Sequence, residues 1–197
     1  MLTRFAAVLA CACLGTAALA APTPAGPADV NAIAGAVLDH MWVSTDRHWH
    51  KGEYNHIVNL SRMIVAGRPT QLDAYGNAGW LLWSMDRDAE AVDLYKQGAR
   101  ANPKSYFLFN ELGFYYAQHK RDFAAGLPWY EKAAATPDCP AFVLHMLAHC
   151  YEKTGQLPKA LAVWTRAAKD AGNPSRAAAI VNRNRVQRLV RDRGAAQ

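Results

Sequence analysis

A spacing of about 34 residues recurs along this chain and constrains its fold more than any other sequence feature. Pro69, Pro103 and Pro137 are each 34 residues apart. Two series of small residues and one of aromatic residues follow the same period, with one extra residue near positions 118–122: Gly79, Gly113 and Ala148; Ala91, Gly126 and Ala160; Tyr95, Tyr130 and Trp164. A fixed period of this length indicates a repeat architecture, in which each repeat is one supersecondary unit.

Each unit has the pattern of two amphipathic helices joined by a short turn, and residues 144–167 show it most clearly. Apolar residues recur there at helical spacing on both sides of a turn at Gly155. The small residues Ala148 and Ala160 fall where the two helices would cross closely, and Trp164 would fill the space beside the crossing. Such a hairpin cannot bury its apolar face alone, so it must stack on neighbouring hairpins.

These units resemble the tetratricopeptide repeat, whose pattern is W-x2-L-G-x2-Y, then A-x3-F, then P. The unit that starts at Tyr106 matches it best, with Phe109-x2-Leu112-Gly113-x2-Tyr116, Gly126-x3-Tyr130 and Pro137. The resemblance covers residues 38–170 and is weakest in the first unit, where Ser44-Thr45 and His48 replace Leu-Gly and Tyr. It implies an all-α protein, an α-solenoid of about four helical hairpins with a C-terminal capping helix.

The N-terminal residues 1–20 have the pattern of a signal peptide. Arg4 precedes an apolar run at 5–14 that is too short to span a bilayer, and cleavage is predicted between Ala20 and Ala21. An uncleaved membrane anchor and a lipidated Cys11 are the alternatives. The sequence therefore predicts a periplasmic or secreted protein of a bacterial cell envelope.

Three further segments are predicted after the signal peptide: a Pro-rich linker at 21–29, the repeat domain at 30–170, and a basic capping helix and tail at 171–197. Asp29 is a plausible N-cap for a first helix beginning at Val30. Most of the formal net charge of +6 comes from six arginines in the last segment. We expect these arginines mostly to face water, with contact to an anionic membrane or an acidic partner as the alternative. Because the body of the chain is neutral, nucleic acid is not an expected partner.

The resemblance also implies where a ligand would bind. In such solenoids the second, fifth, ninth and twelfth positions of each first helix face the concave surface. In this chain those positions gather ten candidates: Trp42, Trp49, Trp80, Trp83, Phe107, Asn110, Phe114, His145, His149 and Glu152.

So many large amphipathic rings suit peptide binding, since they offer contact area at low entropic cost. The predicted function is therefore a scaffold that binds another protein or a peptide. The alternative is a helper of envelope polysaccharide assembly or export, in which the rings stack on sugars. Any single tryptophan could instead pack in the core or cover the linker.

One binding mode of the family is not expected here. Some members hold a C-terminal carboxylate with paired Asn and Lys or Arg side chains, and Asn77 occupies one such position. The remaining positions hold Trp42, Asp46, Phe107 and Glu111, none of which is cationic.

A catalytic role has one weak candidate. His145, His149 and Glu152 lie at i, i+4 and i+7, so one helix face carries two imidazoles and a carboxylate, which are ligand types that suit zinc or iron. Met146 stands where a metalloprotease H-E-x-x-H motif has its glutamate. We therefore expect no metal, no cofactor and no enzymatic activity, with metal-dependent hydrolysis as a distant alternative.

Overall fold

The chain folds as a succession of antiparallel helix pairs, as seen in a computed structural model that describes residues 26–195. Within that range the structure has nine α-helices, one π-helical turn and no strand. The helices are α1 (Pro27–His50), α2 (Tyr54–Gly67), α3 (Leu72–Ser84), α4 (Asp88–Ala101), α5 (Phe107–Phe114), α6 (Phe123–Ala134), α7 (Ala141–Lys153), α8 (Leu157–Lys169) and α9 (Arg176–Ala195), with the π-helical turn at Tyr115–His119.

Successive helices pack as four hairpins, from α1 with α2 to α7 with α8, and α9 packs on α8. The all-α solenoid with a C-terminal capping helix is thus confirmed. None of the helices in residues 26–195 has both the length and the apolar composition needed to cross a bilayer. The predicted signal peptide, its cleavage site and Cys11 lie outside the described residues, as do most of the linker and the last two residues.

The recurring small and aromatic residues have one structural role, which is close packing within a hairpin. A Cβ added to Gly79 would lie 2.2 Å from the Tyr95 ring, and one added to Gly113 would lie 2.9 Å from the Tyr130 ring. Both tyrosines are fully buried. The first helix of each of these hairpins therefore needs glycine where the second helix inserts its ring. The period seen in the sequence is the repetition of this contact.

The hairpin turns require backbone with positive φ. Gly52 and Gly155 have φ of 70° and 77°, which glycine adopts without steric cost. In the two middle hairpins the corresponding residues are Asp86 and Arg121, with φ of 60° and 59°. Aspartate tolerates the left-handed region better than most residues, whereas arginine gains no such compensation, so the turn at Arg121 is the most strained of the four.

The start of α1 differs from the sequence prediction. The helix begins at Pro27, with Gly26 as its N-cap, rather than at Val30. Asp29 is therefore not the N-cap; it is the third helical residue, and its carboxylate accepts a hydrogen bond from the Gly26 N–H at 3.1 Å. Proline suits the first helical position because it has no N–H to satisfy.

Among residues 26–195, no helix packs against the first turns of α1. Helix α1 has 24 residues and α2 only 14, and α2 ends at Gly67, beside Leu38. Ile33 and Val37 are consequently exposed, although their helical spacing with Met41 predicts a shared apolar face, and Val30 is exposed as well.

Helix α9 is attached to the solenoid by two of its arginines. Arg176 Nε donates to the Ala168 carbonyl at 2.9 Å, and Arg185 Nη1 lies 2.7 Å from Glu152 Oε2. The expectation that these arginines mostly face water holds for Arg176, Arg191 and Arg193, which are exposed, whereas Arg185 is half-buried in its pairing with Glu152.

Candidate ligand-binding groove

A groove with a volume of about 920 Å³ lies between α1, α2 and α3. Three indole rings line it, those of Trp42, Trp49 and Trp80. The aliphatic side chains of Val43, Ile57 and Leu81 and the polar side chains of Thr45, Asp46 and Asn77 complete the lining. Ligand sites commonly have this size and this composition, with mostly apolar walls and a few polar groups.

Helical spacing explains why these side chains converge. Trp42, Asp46 and Trp49 occupy positions i, i+4 and i+7 of α1, so they share one face of that helix. Asn77 and Trp80 occupy i and i+3 of α3, the first helix of the next hairpin. Since α1 and α3 are both first helices, stacking of the hairpins sets these two faces side by side.

An aromatic row extends from this groove across three hairpins. The centroid of Trp80 lies 5.9 Å from that of Trp49 and 5.8 Å from that of Trp83. The row continues at one end to Tyr54, 5.6 Å from Trp49, and at the other to His119, 4.4 Å from Trp83. Trp49 and Trp80 remain 45% and 43% exposed. Two of the four predicted tryptophans thus present large areas to solvent while touching each other.

The π-helical turn places His119 in the row. The extra residue noted in the sequence is accommodated inside the helix, at Tyr115–His119, instead of in the turn that follows. The Lys120 N–H accordingly donates to the Tyr115 carbonyl at 2.9 Å. Such a turn rotates the side chains that follow it, and it is frequent at functional sites. The extra residue was the only sequence signal that could have pointed to His119.

The candidates of the third hairpin lie outside the groove. The Phe107 ring packs on Gly76, where an added Cβ would be 3.0 Å from the ring. Asn110 Nδ2 donates to Glu111 Oε1 at 3.2 Å, and burial raises the pKa of the Glu111 carboxyl. Phe114 is 42% exposed. This hairpin therefore offers one open ring, while Phe107 and Asn110 also serve local packing.

The candidates of the fourth hairpin are engaged with Trp164 and α9. The rings of His145 and His149 meet the buried Trp164 edge-on, with centroids 5.1 and 4.9 Å away. Glu152 Oε1 accepts a hydrogen bond from Trp164 Nε1 at 2.8 Å, and the same carboxylate pairs with Arg185. The structure does not bring these three residues together with the exposed tryptophans, because the third hairpin, α5 with α6, lies between α7 and the groove.

This cluster is partly buried: the side chain of His149 is 46% exposed and that of Glu152 is 13% exposed. Burial lowers the pKa of both His145 and His149. Burial alone would raise the pKa of Glu152, but hydrogen bonds from Arg185 and Trp164 hold it below its ordinary value. Across residues 26–195 no three His, Cys, Asp or Glu side chains are grouped so that they could hold a metal ion.

Comparison with known proteins places this architecture in context. A family model described as a tetratricopeptide repeat matches residues 72–105, which include α3 and α4. Among solved structures, "YrrB: a TPR protein with an unusual peptide-binding site" is similar over 75% of both chains, with 18% identity and a TM-score of 0.55.

Two further structures are similar. PilW, a "widely conserved type IV pilus biogenesis factor", matches with 18% identity over 78% of this chain and 70% of its own, at a TM-score of 0.55. A thermophilic TPR protein of Thermus thermophilus matches with 19% identity over 83% of this chain and 90% of its own, at a TM-score of 0.50. No curated protein has a significantly similar sequence. At these identities the similarities establish the fold.

Proposed function

This chain carries a tetratricopeptide repeat within a solenoid of the same fold, and we propose that it is a scaffold that binds a peptide segment of another protein in the groove between α1 and α3. The observation that carries the proposal is the pair of exposed, touching indoles, Trp49 and Trp80, at the edge of a groove of about 920 Å³. Exposed aromatic side chains that adjoin a concavity mark interaction sites, because leaving them in water is costly.

The shape and chemistry of the groove favour a peptide. The aromatic row leads from Trp80 past Trp83 to His119, so a bound chain could continue along it beyond the groove. The Asn77 amide provides one donor and one acceptor for a backbone. The peptide-binding site ascribed to YrrB, which has the same fold, supports the same class of ligand.

We further propose that the protein acts in the periplasm or outside the cell, a proposal that rests on the pattern of residues 1–20. Its partner would then be another protein of the cell envelope. N-terminal sequencing of the exported protein is expected to begin at Ala21. A mature protein that retains residues 1–20 would contradict this assignment.

Capture from an envelope extract tests the binding proposal. The chain immobilised as bait is expected to retain a protein that the double variant Trp49→Ala/Trp80→Ala fails to retain. Trp129→Ala is the matched control, because this half-buried indole lies on α6, outside the groove, under Lys132 Nζ at 4.5 Å. Equal retention by the double variant and the wild type would refute the groove as the binding site.

A polysaccharide is the competing ligand, since indole rings also stack on sugars. Binding on a glycan array that is lost in Trp49→Ala/Trp80→Ala, with no protein captured, would favour this second function and reject the first.

Contact of α9 with an anionic membrane is a separate proposal. Three exposed arginines near the end of that helix support it, namely Arg188, Arg191 and Arg193. Co-sedimentation with phosphatidylglycerol vesicles is expected to fall when all three are replaced by glutamine. Unchanged co-sedimentation would reject the contact.

A further inference from the structure

We propose that the segment bound in this groove presents a lysine or arginine side chain that lies against the indole rings beside Asp46. This inference rests on the proposed function and specifies its ligand. Three tryptophans and one carboxylate line the same groove, and this combination suits an alkyl chain that ends in a cation. The rings contact the methylene groups and attract the charge, and the carboxylate neutralises it.

The positions of the lining groups support this assignment. Asp46 lies one helical turn from both Trp42 and Trp49, and Trp80 faces them from α3, 5.9 Å from Trp49. A side chain that lies along this groove therefore contacts indole rings from both helices and comes close to the Asp46 carboxylate on α1. Thr45 Oγ1 is already used, because it donates to the Trp42 carbonyl at 2.6 Å.

The charge of the groove has one sign. Of its nine lining residues, all within the described range, Asp46 alone carries a formal charge at neutral pH. Other carboxylates of the same hairpin have close partners: Asp39 Oδ1 lies 2.7 Å from Arg68 Nη1, and Glu53 Oε2 lies 2.6 Å from His48 Nδ1.

Asp46 has a weaker ion-pair contact than Asp39 and Glu53 do. Its contact within residues 26–195 is His50 Nε2 at 3.6 Å, with both side chains more than 70% exposed. An exposed pair of this kind contributes little, so Asp46 is available to a ligand. An acidic ligand would meet this carboxylate with no lysine or arginine in the lining to offset it.

The test uses three blocked pentapeptides, Ac-Ala-Leu-Xaa-Leu-Ala-NH2, in which Xaa is lysine, norleucine or glutamate. Norleucine is matched to lysine because it keeps the methylene chain and lacks the ammonium group. Binding to the full chain is followed by NMR, through the indole N–H resonances of Trp42, Trp49 and Trp80. We expect the lysine peptide to bind about ten times more tightly than the norleucine peptide, and the glutamate peptide to bind most weakly.

Asp46→Asn is expected to weaken binding of the lysine peptide about threefold and to leave the norleucine peptide unchanged. Asp93→Asn is the control, because it removes the same charge from α4, at a different depression between α2 and α4. Equal binding of the lysine and norleucine peptides would overturn the cationic specificity while leaving a peptide-binding groove intact. An Asp46→Asn variant that binds the lysine peptide as the wild type does would also overturn it.

If none of the three peptides shifts an indole resonance, the cationic specificity is rejected for this groove. Capture from the envelope extract then decides the proposed function independently, since it does not depend on the charge of the ligand.

Discussion

Replacing Gly79 by alanine tests the contact that repeats through the solenoid. The new Cβ would lie 2.2 Å from Cε1, 2.4 Å from Cζ and 2.8 Å from Cδ1 of Tyr95. Favourable carbon–carbon contacts lie at about 3.5–4.0 Å, so the ring would have to move by roughly 1.3–1.8 Å. Tyr95 is fully buried, so there is little free space to receive it.

The magnitude follows from two opposing terms. Overpacking of a tight core costs about 1–3 kcal/mol. Alanine is favoured over glycine in a helix by about 1 kcal/mol. Because the added Cβ would lie only 2.2 Å from the ring, the upper part of the overpacking range, about 2–3 kcal/mol, applies, and we expect Gly79→Ala to lower the free energy of unfolding by about 1–2 kcal/mol.

Gly35→Ala is the matched control, because it makes the same change in another helix. Among residues 26–195, a Cβ at Gly35 would come within 4 Å of one atom, Arg68 Nη2, at 3.9 Å. This variant is expected to raise the free energy of unfolding by about 0.5–1 kcal/mol. The two substitutions should thus have opposite signs.

Urea unfolding followed by far-UV circular dichroism measures both effects. In a Tyr95→Leu background, Gly79→Ala should cost less than in the wild type, because the ring that the new methyl group meets is gone. The reasoning is refuted if Gly79→Ala stabilises the protein as Gly35→Ala does, or if the Tyr95→Leu background does not change its cost.

Three further outcomes are expected elsewhere in the chain. In a double-mutant cycle, Glu152→Ala and Arg185→Ala should show a coupling free energy of roughly 0.5–1.5 kcal/mol. The value is modest because the arginine side chain is 40% exposed to solvent. Additive effects of the two substitutions on the free energy of unfolding would contradict the ion pair. Since burial lowers the pKa of His145, protonation favours the unfolded state, and the free energy of unfolding should fall as the pH drops below about 6.5. His145→Gln should flatten that dependence, and an identical slope would exclude this group as a cause. A maleimide should label Cys139 in the folded protein and Cys150 only after unfolding, as measured by mass spectrometry. The reason is that Cys150 is fully buried and its pKa is raised to about 11. Equal labelling of the two cysteines in the folded protein would contradict the burial of Cys150.

The repeat architecture could be predicted from the sequence because the same packing contact between two helices recurs once in every period. A glycine or alanine on one helix and a ring on the next specify each other, as Gly79 and Tyr95 do, and both residue types are visible in the sequence. The positions of Trp49 and Trp80 on the concave face were implied by the resemblance to the tetratricopeptide repeat, and both side chains are exposed.

Other features could not be predicted, because they depend on contacts with residues that are distant in the sequence. The spacing of Ile33 and Val37 predicts an apolar face on α1, but α2 is too short to cover these two residues. The pairing of Glu152 with Arg185 joins residues 33 positions apart, and it depends on the rotation of α9 about its own axis. The rule that assigns positions of each first helix to the concave face also assumes that no other element contacts those side chains. In the last hairpin α9 packs on α8 and its Arg185 pairs with Glu152, so that assumption fails.

The widened turn at Tyr115–His119 has a consequence for how this chain tolerates insertion and deletion. One surplus residue is absorbed within a helix, and the following hairpin still pairs in its ordinary alignment. The number of residues in this turn therefore determines which side chain packs on the indole of Trp83. Removing one residue between positions 116 and 118 would restore ordinary helical geometry and turn the imidazole by about 100°, since an α-helix advances 3.6 residues per turn.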